Sequence, residues 1–384
     1  MNSETVLYNA TLILPDRTMR GVIVIKKGII TRIDEDTGFH VKGVDCMGDY
    51  LLPGLIEIHT DNLEKHIVPR PGIYWPSSHA SVIAHDNQIF NSGITTVLDA
   101  VALGFSDSKE ARSKILDRSI MAVKYAGKNG WLRADHFLHM RCELPSATLL
   151  ESCKTYIEDP LVKLVSVMDH TPGQRQWRDL SKWRTFHSDK KWTDEDAQAV
   201  INSRKRLRDA YAVKNRRAIV GMCRSRDLPI ASHDDTTEAH CVEAWEEGIC
   251  ISEFPTTFQA AKKAKELGMS IIMGAPNMVR GKSHSGNISA RLLIENNLLD
   301  GFSSDYMPIS LLHAAFEMNR RTRCPMFSAL STVTANIAKM VRLDDRGSLE
   351  QGKKADIILV KQENNYPIIS SIWKDGLRML ACRN

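Results

Sequence analysis

The sequence predicts an α/β protein: a (β/α)8 TIM-like barrel with a small β-sandwich built from both chain ends. Three observations predict it. Short apolar runs alternate with helix-like segments through the middle of the chain, as βαβ units around a parallel sheet require. The 384 residues exceed the roughly 250 of a single barrel by enough for one accessory unit. The first and last segments share a β-rich, turn-broken character that the middle lacks.

Within the ends, residues 6–14 and 21–33 are strand-like, interrupted by Pro15-Asp16-Arg17 and Lys26-Lys27-Gly28. At the other end, 347–356 lead into strand candidates at 357–360 and 368–373. Neither end carries enough apolar sequence to fold alone. Residues 1–52 and 345–384 are therefore expected to form one composite sandwich around a barrel of 53–344. In that barrel the strand candidates are 55–58, 95–100, 135–142, 163–168, 229–232, 250–253, 270–273 and 301–304. Two helices announce themselves clearly. One spans 194–213, with Thr193 and Asp196 close to a capping box. The other spans 257–267 and stops at Gly268.

Composition narrows the class of function. Hydrophobic residues at 43% and charged residues at 25% suit a soluble globular enzyme, and a net charge of +5 does not argue for a polyanion partner. No apolar run reaches membrane-spanning length and no signal peptide opens the chain, so a cytoplasmic protein without a membrane partner is expected. Eight cysteines without a CxxC pair read as reduced thiols. The basic stretch at 204–208 shares its helix with acidic residues and has no interleaved aromatics, so no nucleic-acid partner is expected. Gly281-Lys282-Ser283 fails as a phosphate loop because position 276 is proline.

The chemistry concentrates where strands finish, which in such barrels is the catalytic face. His59 and Asp61 follow the first strand, spaced to face the same side. Glu143 follows the third, His170 the fourth, His233 the fifth and Asp305 the eighth. Imidazoles mixed with carboxylates suit Zn²⁺ or Mn²⁺, not a thiolate site. Two such ions would activate a water and polarise a phosphoryl or acyl oxygen. His40, His79, His85, His136, His139, His187 and His313 read as ordinary hydrogen-bonded histidines. Trp177, Trp183 and Trp192 read either as a lid or as the anchor of a long loop.

Pro53-Gly54-Leu55-Ile56 ahead of His59-Thr60-Asp61, with 347–356 near the end, resembles the amidohydrolase superfamily of metal-dependent barrels flanked by a split sandwich. Longer strings resemble the PhnM family of phosphonate metabolism, the α-D-ribose 1-methylphosphonate 5-triphosphate diphosphatases. They are His59-Thr60-Asp61-Asn62-Leu63-Glu64-Lys65-His66, Met168-Asp169-His170-Thr171-Pro172-Gly173-Gln174, Ser232-His233-Asp234-Asp235, Gly274-Ala275-Pro276-Asn277 and Ser304-Asp305-Tyr306. The resemblance covers essentially the whole chain. It implies hydrolysis of a ribosyl alkylphosphonate triphosphate between the α and β phosphorus atoms, with two divalent ions held by His59, Asp61, Glu143, His170, His233 and Asp305. Asp305 would also shuttle the proton, and Glu143 would bridge the ions where other members use a carbamylated lysine, with Lys163 as rival bridge. Another amidohydrolase acting on a C–N bond, a deaminase or cyclic amidase, is the alternative. A very anionic small-molecule substrate calls for a cationic rim, for which Arg70, Arg175, Arg280, Lys282, Ser283, His284 and Asn287 are the candidates. The oligomeric state stays open, a homo-oligomer included.

Overall fold

The computed structural model describes residues 4–38, 42–70, 72–104, 109–283 and 286–381. Five strands come from the start of the chain: β1 (Glu4–Ile13), β2 (Thr18–Lys26), β3 (Ile29–Glu35), β4 (Val44–Asp45) and β5 (Tyr50–Pro53). The eight barrel strands are β6 (Leu55–Thr60), β7 (Ile94–Leu103), β8 (Asp135–Glu143), β9 (Val162–Met168), β10 (Ile230–His233), β11 (Ile251–Glu253), β12 (Ser270–Gly274) and β13 (Gly301–Ser303). Three more close the chain: β14 (Ile357–Glu363), β15 (Tyr366–Lys374) and β16 (Leu377–Ala381).

Strands β6 to β13 pair in sequence order, each parallel to the next. The seam between the last and the first is held by a bridge of Thr60 to Asp305. The Asp305 amide donates to the His59 carbonyl at 3.2 Å and the Asp61 amide to the Asp305 carbonyl at 3.1 Å. The buried Glu57 carboxylate reinforces the seam, accepting from the amides of His59 and Ser304 at 2.7 Å each. Ile56, Ile58, Leu98, Leu164, Ala231, Ile251 and Ile272 fill the barrel interior. A second shell of apolar side chains packs the strands against the surrounding helices.

The chain ends meet as expected, but as one continuous, mostly antiparallel sheet in the order β16-β15-β14-β5-β1-β2-β3, with β4 beside β1. It wraps its own core of Leu7, Leu12, Ile23, Leu51, Ile357 and Trp373. Where the chain passes from this sheet into the barrel, a Cβ on Gly54 would collide with the Thr95 side chain, so only glycine fits. Lys374 ties sheet to barrel, its Nζ 3.0 Å from both Asp356 and Asp135.

The helix expected over 194–213 runs further, over Asp194–Arg224, behind the foreseen capping box at Thr193 and Asp196. Nothing breaks it at Val213, and its continuation buries Asn215, Arg216, Ile219, Val220 and Cys223. Trp177 and Trp183 are buried with Ala197 and Ile201. These tryptophans anchor the long segment after β9 through a satellite core. Among the described residues, the cysteines are free thiols and no helix is long and apolar enough to cross a membrane.

Candidate metal centre

Each barrel strand delivers its last residues to the same face, and two groups of ligand atoms converge there. His59, Asp61 and Asp305 form the first, and His170, His233 and Asp234 the second, with the ligand atoms of each group within 4.8 Å of one another. The groups adjoin: the His59 and His233 rings stack 5.7 Å apart, and His233 meets His170 edge-on at 5.6 Å. Parallel alternation explains the first group, since His59 and Asp61 lie two residues apart on one strand end. The second needs a backbone exception. Asp234 takes φ +57°, which turns its side chain to the same side as its neighbour His233.

The imidazoles are held from behind. Glu253, buried at the end of β11, accepts from His59 Nδ1 and from His233 Nδ1, one bond per oxygen, both at 2.7 Å. Glu143 accepts from His170 Nδ1 at 2.6 Å and from the His170 amide at 2.8 Å. With Nδ1 donating, each ring leaves its Nε2 lone pair for a cation. Burial pulls the His59 and His170 imidazoles down, but Glu253 and Glu143 respectively more than offset it and hold both above the ordinary value. Burial pushes Glu253 up, yet the surrounding histidines bring it well below the usual carboxylate range.

A divalent cation fits this donor set. Asp234 Oδ2 is buried with no hydrogen-bond partner, 3.5 Å from His233 Nε2 and 3.7 Å from His170 Nε2. A buried carboxylate oxygen left in that state is costly unless a cation takes it. Inside the mouth, Arg141 of β8 donates from Nη1 to Asp61 Oδ1 at 2.6 Å. Lys65 donates to the Tyr306 carbonyl at 2.5 Å and feels the charges of Asp305 and Asp61.

Three expectations are corrected by this geometry. Glu143 belongs to neither ligand group and stands behind His170 as its orienting partner, accepting from the His170 amide with one oxygen and from the ring with the other. The rival bridge Lys163 sits at the opposite end of β9, its ammonium 5.4 Å over the Phe137 ring. Arg175 does not line the mouth. It is buried, donating to the His233 carbonyl at 2.8 Å and to Asp235 Oδ1 at 2.7 Å, where it compensates a fully buried carboxylate. The other rim candidates follow barrel strands: Arg280 ends the helix Ala275–Arg280, and the rest of those described lie in loops. Arg70, Arg280 and Lys282 are exposed, and Ser283 and Asn287 half-buried; His284 lies outside the described residues. Asn277 pins that last loop, donating to the Ile288 carbonyl and accepting from the Ala290 amide, both at 3.0 Å.

Sequence reasoning missed Asp234, Glu253, Arg141 and Lys65. Glu253 ends a barrel strand and Arg141 lies two residues from Glu143 on the same strand face, so both were within reach of the strand-end rule. Only the turn geometry could reveal Asp234. His85, His136 and His139 are buried as expected of core histidines, although His139 Nε2 finds no partner.

An eight-stranded parallel barrel with a split outer sheet and an imidazole–carboxylate pocket at the strand ends defines a metal-binding hydrolase barrel. The sequence pattern of the Amidohydrolase family matches residues 50–378. The α-D-ribose 1-methylphosphonate 5-triphosphate diphosphatase of Escherichia coli (strain K12) is 41% identical over 377 residues, covering 97% of this chain and all of that protein. Among solved structures, 5-methylcytosine deaminase from Klebsiella pneumoniae liganded with 5-fluorocytosine superposes with a TM-score of 0.66 at 13% identity, covering 99% of this chain and 98% of its own. N-acetylglucosamine-6-phosphate deacetylase from Pasteurella multocida gives 0.64 at 11%, covering 98% and 100%. The chain belongs to the amidohydrolase family and, within it, to the PhnM family.

Proposed function

We propose that the protein is a metal-dependent diphosphatase of phosphonate catabolism. It cleaves the α–β phosphoanhydride of α-D-ribose 1-methylphosphonate 5-triphosphate and releases diphosphate for the carbon–phosphorus lyase pathway. The reading is carried by one observation: two adjoining ligand groups lie at the barrel mouth of a chain that matches the E. coli enzyme end to end. Charge supports two divalent ions, Zn²⁺ or Mn²⁺, there. Asp61, Glu143, Asp234, Glu253 and Asp305 bring five negative charges against the two positive charges of Arg141 and Lys65. One divalent ion leaves an excess of negative charge, which a second takes up. His59, Asp61 and Asp305 would hold one ion and His170, His233 and Asp234 the other.

Ions bound there supply Lewis acidity toward a phosphoryl oxygen and toward a water. The chain's own groups do the rest. Asp305 takes the proton of the attacking water as its oxygen adds in line to phosphorus, and the anhydride oxygen departs with diphosphate. Arg141 and Lys65 offset negative charge on the phosphoryl oxygens. Arg70, Arg280, Lys282, Ser283 and Asn287 receive the outer phosphates.

The test is to measure metal content and incubate the holoenzyme with the ribosyl alkylphosphonate triphosphate. Diphosphate release is expected. Ammonia from an amide or aminopurine, with no diphosphate, would establish the C–N alternative instead.

A further inference from the structure

Beside the first ligand group runs a buried polar array that the chemistry above does not use. Asn62, directly after Asp61, donates from Nδ2 to His85 Nδ1 and to Gln88 Oε1, both at 3.0 Å. With Nδ1 accepting, the His85 proton lies on Nε2, which donates to Asp99 Oδ1 at 2.7 Å. The other Asp99 oxygen accepts from His136 Nδ1 at 2.7 Å, and His136 Nε2 lies 3.3 Å from Asp86 Oδ1. Asp86 is fixed in turn by the amides of Arg133 and Ala134 at 3.0 and 2.9 Å. Asn62, His85, Asp86, Asp99 and His136 are all buried.

This is not a third ion site. Every ring nitrogen and both Asp99 oxygens are already used, at hydrogen-bond separations. A satisfied network of this kind fixes geometry. What it fixes is the helix Asn62–Ile67, which begins immediately after Asp61 and whose N-cap makes no side-chain capping bond. The Asp61 side chain is itself one-third exposed. Arg141 holds one of its oxygens, and the rest of its placement depends on backbone on either side: the barrel seam before it and Asn62 after it.

We propose that His85 is a positioning residue for the metal site, fixing through Asn62 where Asp61 presents its carboxylate. The proposal rests on Asp61 being a ligand and adds to it the structure that holds Asp61 in place. Glutamine at position 85 can accept from Asn62 and donate to Asp99; phenylalanine matches the ring size and does neither.

The experiment compares His85→Gln, His85→Phe and Asn62→Ala by Zn²⁺ or Mn²⁺ titration, melting temperature and steady-state kinetics. Asn62→Ala cuts the same link while leaving His85, Asp99 and His136 joined, and it covers the case in which the buried Phe variant does not fold. Expected are a metal affinity weakened tenfold or more in His85→Phe and Asn62→Ala, a fall in kcat with KM little changed, and near-normal values in His85→Gln. Wild-type metal affinity in folded His85→Phe or Asn62→Ala, with only the melting temperature lowered, overturns the proposal. So does a folded His85→Gln as defective as His85→Phe. Asp61→Asn, titrated alongside, separates the two layers: if it binds metal like the wild type, the ligand assignment has failed and not merely its positioning.

Discussion

The Asp61 amide donates to the Asp305 carbonyl at 3.1 Å, so the seam that joins the last barrel strand to the first lies within the candidate metal site itself. Backbone makes that closure, so neither carboxylate is spent on it. Asp305 also holds φ +55°, a conformation that asparagine tolerates. Asp305→Asn should therefore keep the wild-type circular dichroism and melting temperature within a few degrees. Diphosphate release should fall by about 10²- to 10⁴-fold, the usual worth of a positioned acid–base group. Near-normal turnover in this variant would remove Asp305 from the chemistry.

Glu253 gives one oxygen to each of two imidazoles, a task glutamine cannot share. Its carbonyl can accept from one Nδ1–H, but its amide meets the other as donor against donor. Glu253→Gln should force one ring to change tautomer or swing away, weakening metal affinity by about 10- to 100-fold. Excess metal should restore part of the activity. An unchanged dissociation constant in a metal titration would show that the rings are held by something else.

Metal removal should destabilise as well as inactivate. Without metal cations, the carboxylates of the two ligand groups face one another with Arg141 and Lys65 to offset them. A chelator should abolish diphosphate release and lower the melting temperature. Adding Zn²⁺ or Mn²⁺ at 100 times its dissociation constant should return about 2.7 kcal/mol of stability. A melting temperature that ignores both chelator and metal would contradict ion binding in the folded protein.

His136 gives a pH signature away from the metal site. Burial pulls its imidazole down, but Asp99 and Asp86 on either side more than offset that and push it up to about 9 from 6.5. A raised histidine contributes stability that is complete below its unfolded value and is lost as pH rises through the folded one. Denaturant midpoints should therefore fall between pH 7 and 10, by on the order of 3 kcal/mol from this group. His136→Gln should be less stable at pH 7 and flatter over that range. An equal slope in both proteins would assign the loss to other groups.

Much of the site was legible because strands end where this fold does chemistry. His59, His233 and Asp305 were each the first metal-binding type after an apolar run and His170 came one residue after Asp169, and the structure places the four in two adjoining groups. Asp234 was hidden because adjacent residues in a strand face opposite sides, and nothing in the letters announces a left-handed residue at that point. Glu143 was legible as a participant but not in its role, since spacing does not tell a ligand from the carboxylate behind one. The outer sheet was legible as a pairing of the two ends. That it is continuous depends on β5, a four-residue strand too short to carry a pattern.

Arg175 and Lys282 separate bracing from binding. Both are cations in loops after barrel strands, and sequence treats them alike. Arg175 is buried against Asp235 and the carbonyl of His233, while Lys282 is exposed. Arg175→Ala leaves the fully buried Asp235 without its charged partner, so a stability loss of about 3–5 kcal/mol is expected, read as a lower denaturant midpoint. What folded protein remains should show its KM little changed. Lys282→Ala and Arg280→Ala should do the reverse: unchanged melting temperature, with KM for the triphosphate raised several-fold and more so at low salt, because exposed charges attract an anion over a screened distance. If Arg175→Ala instead raised KM without loss of stability, the buried ion pair would not be what fixes that arginine in place.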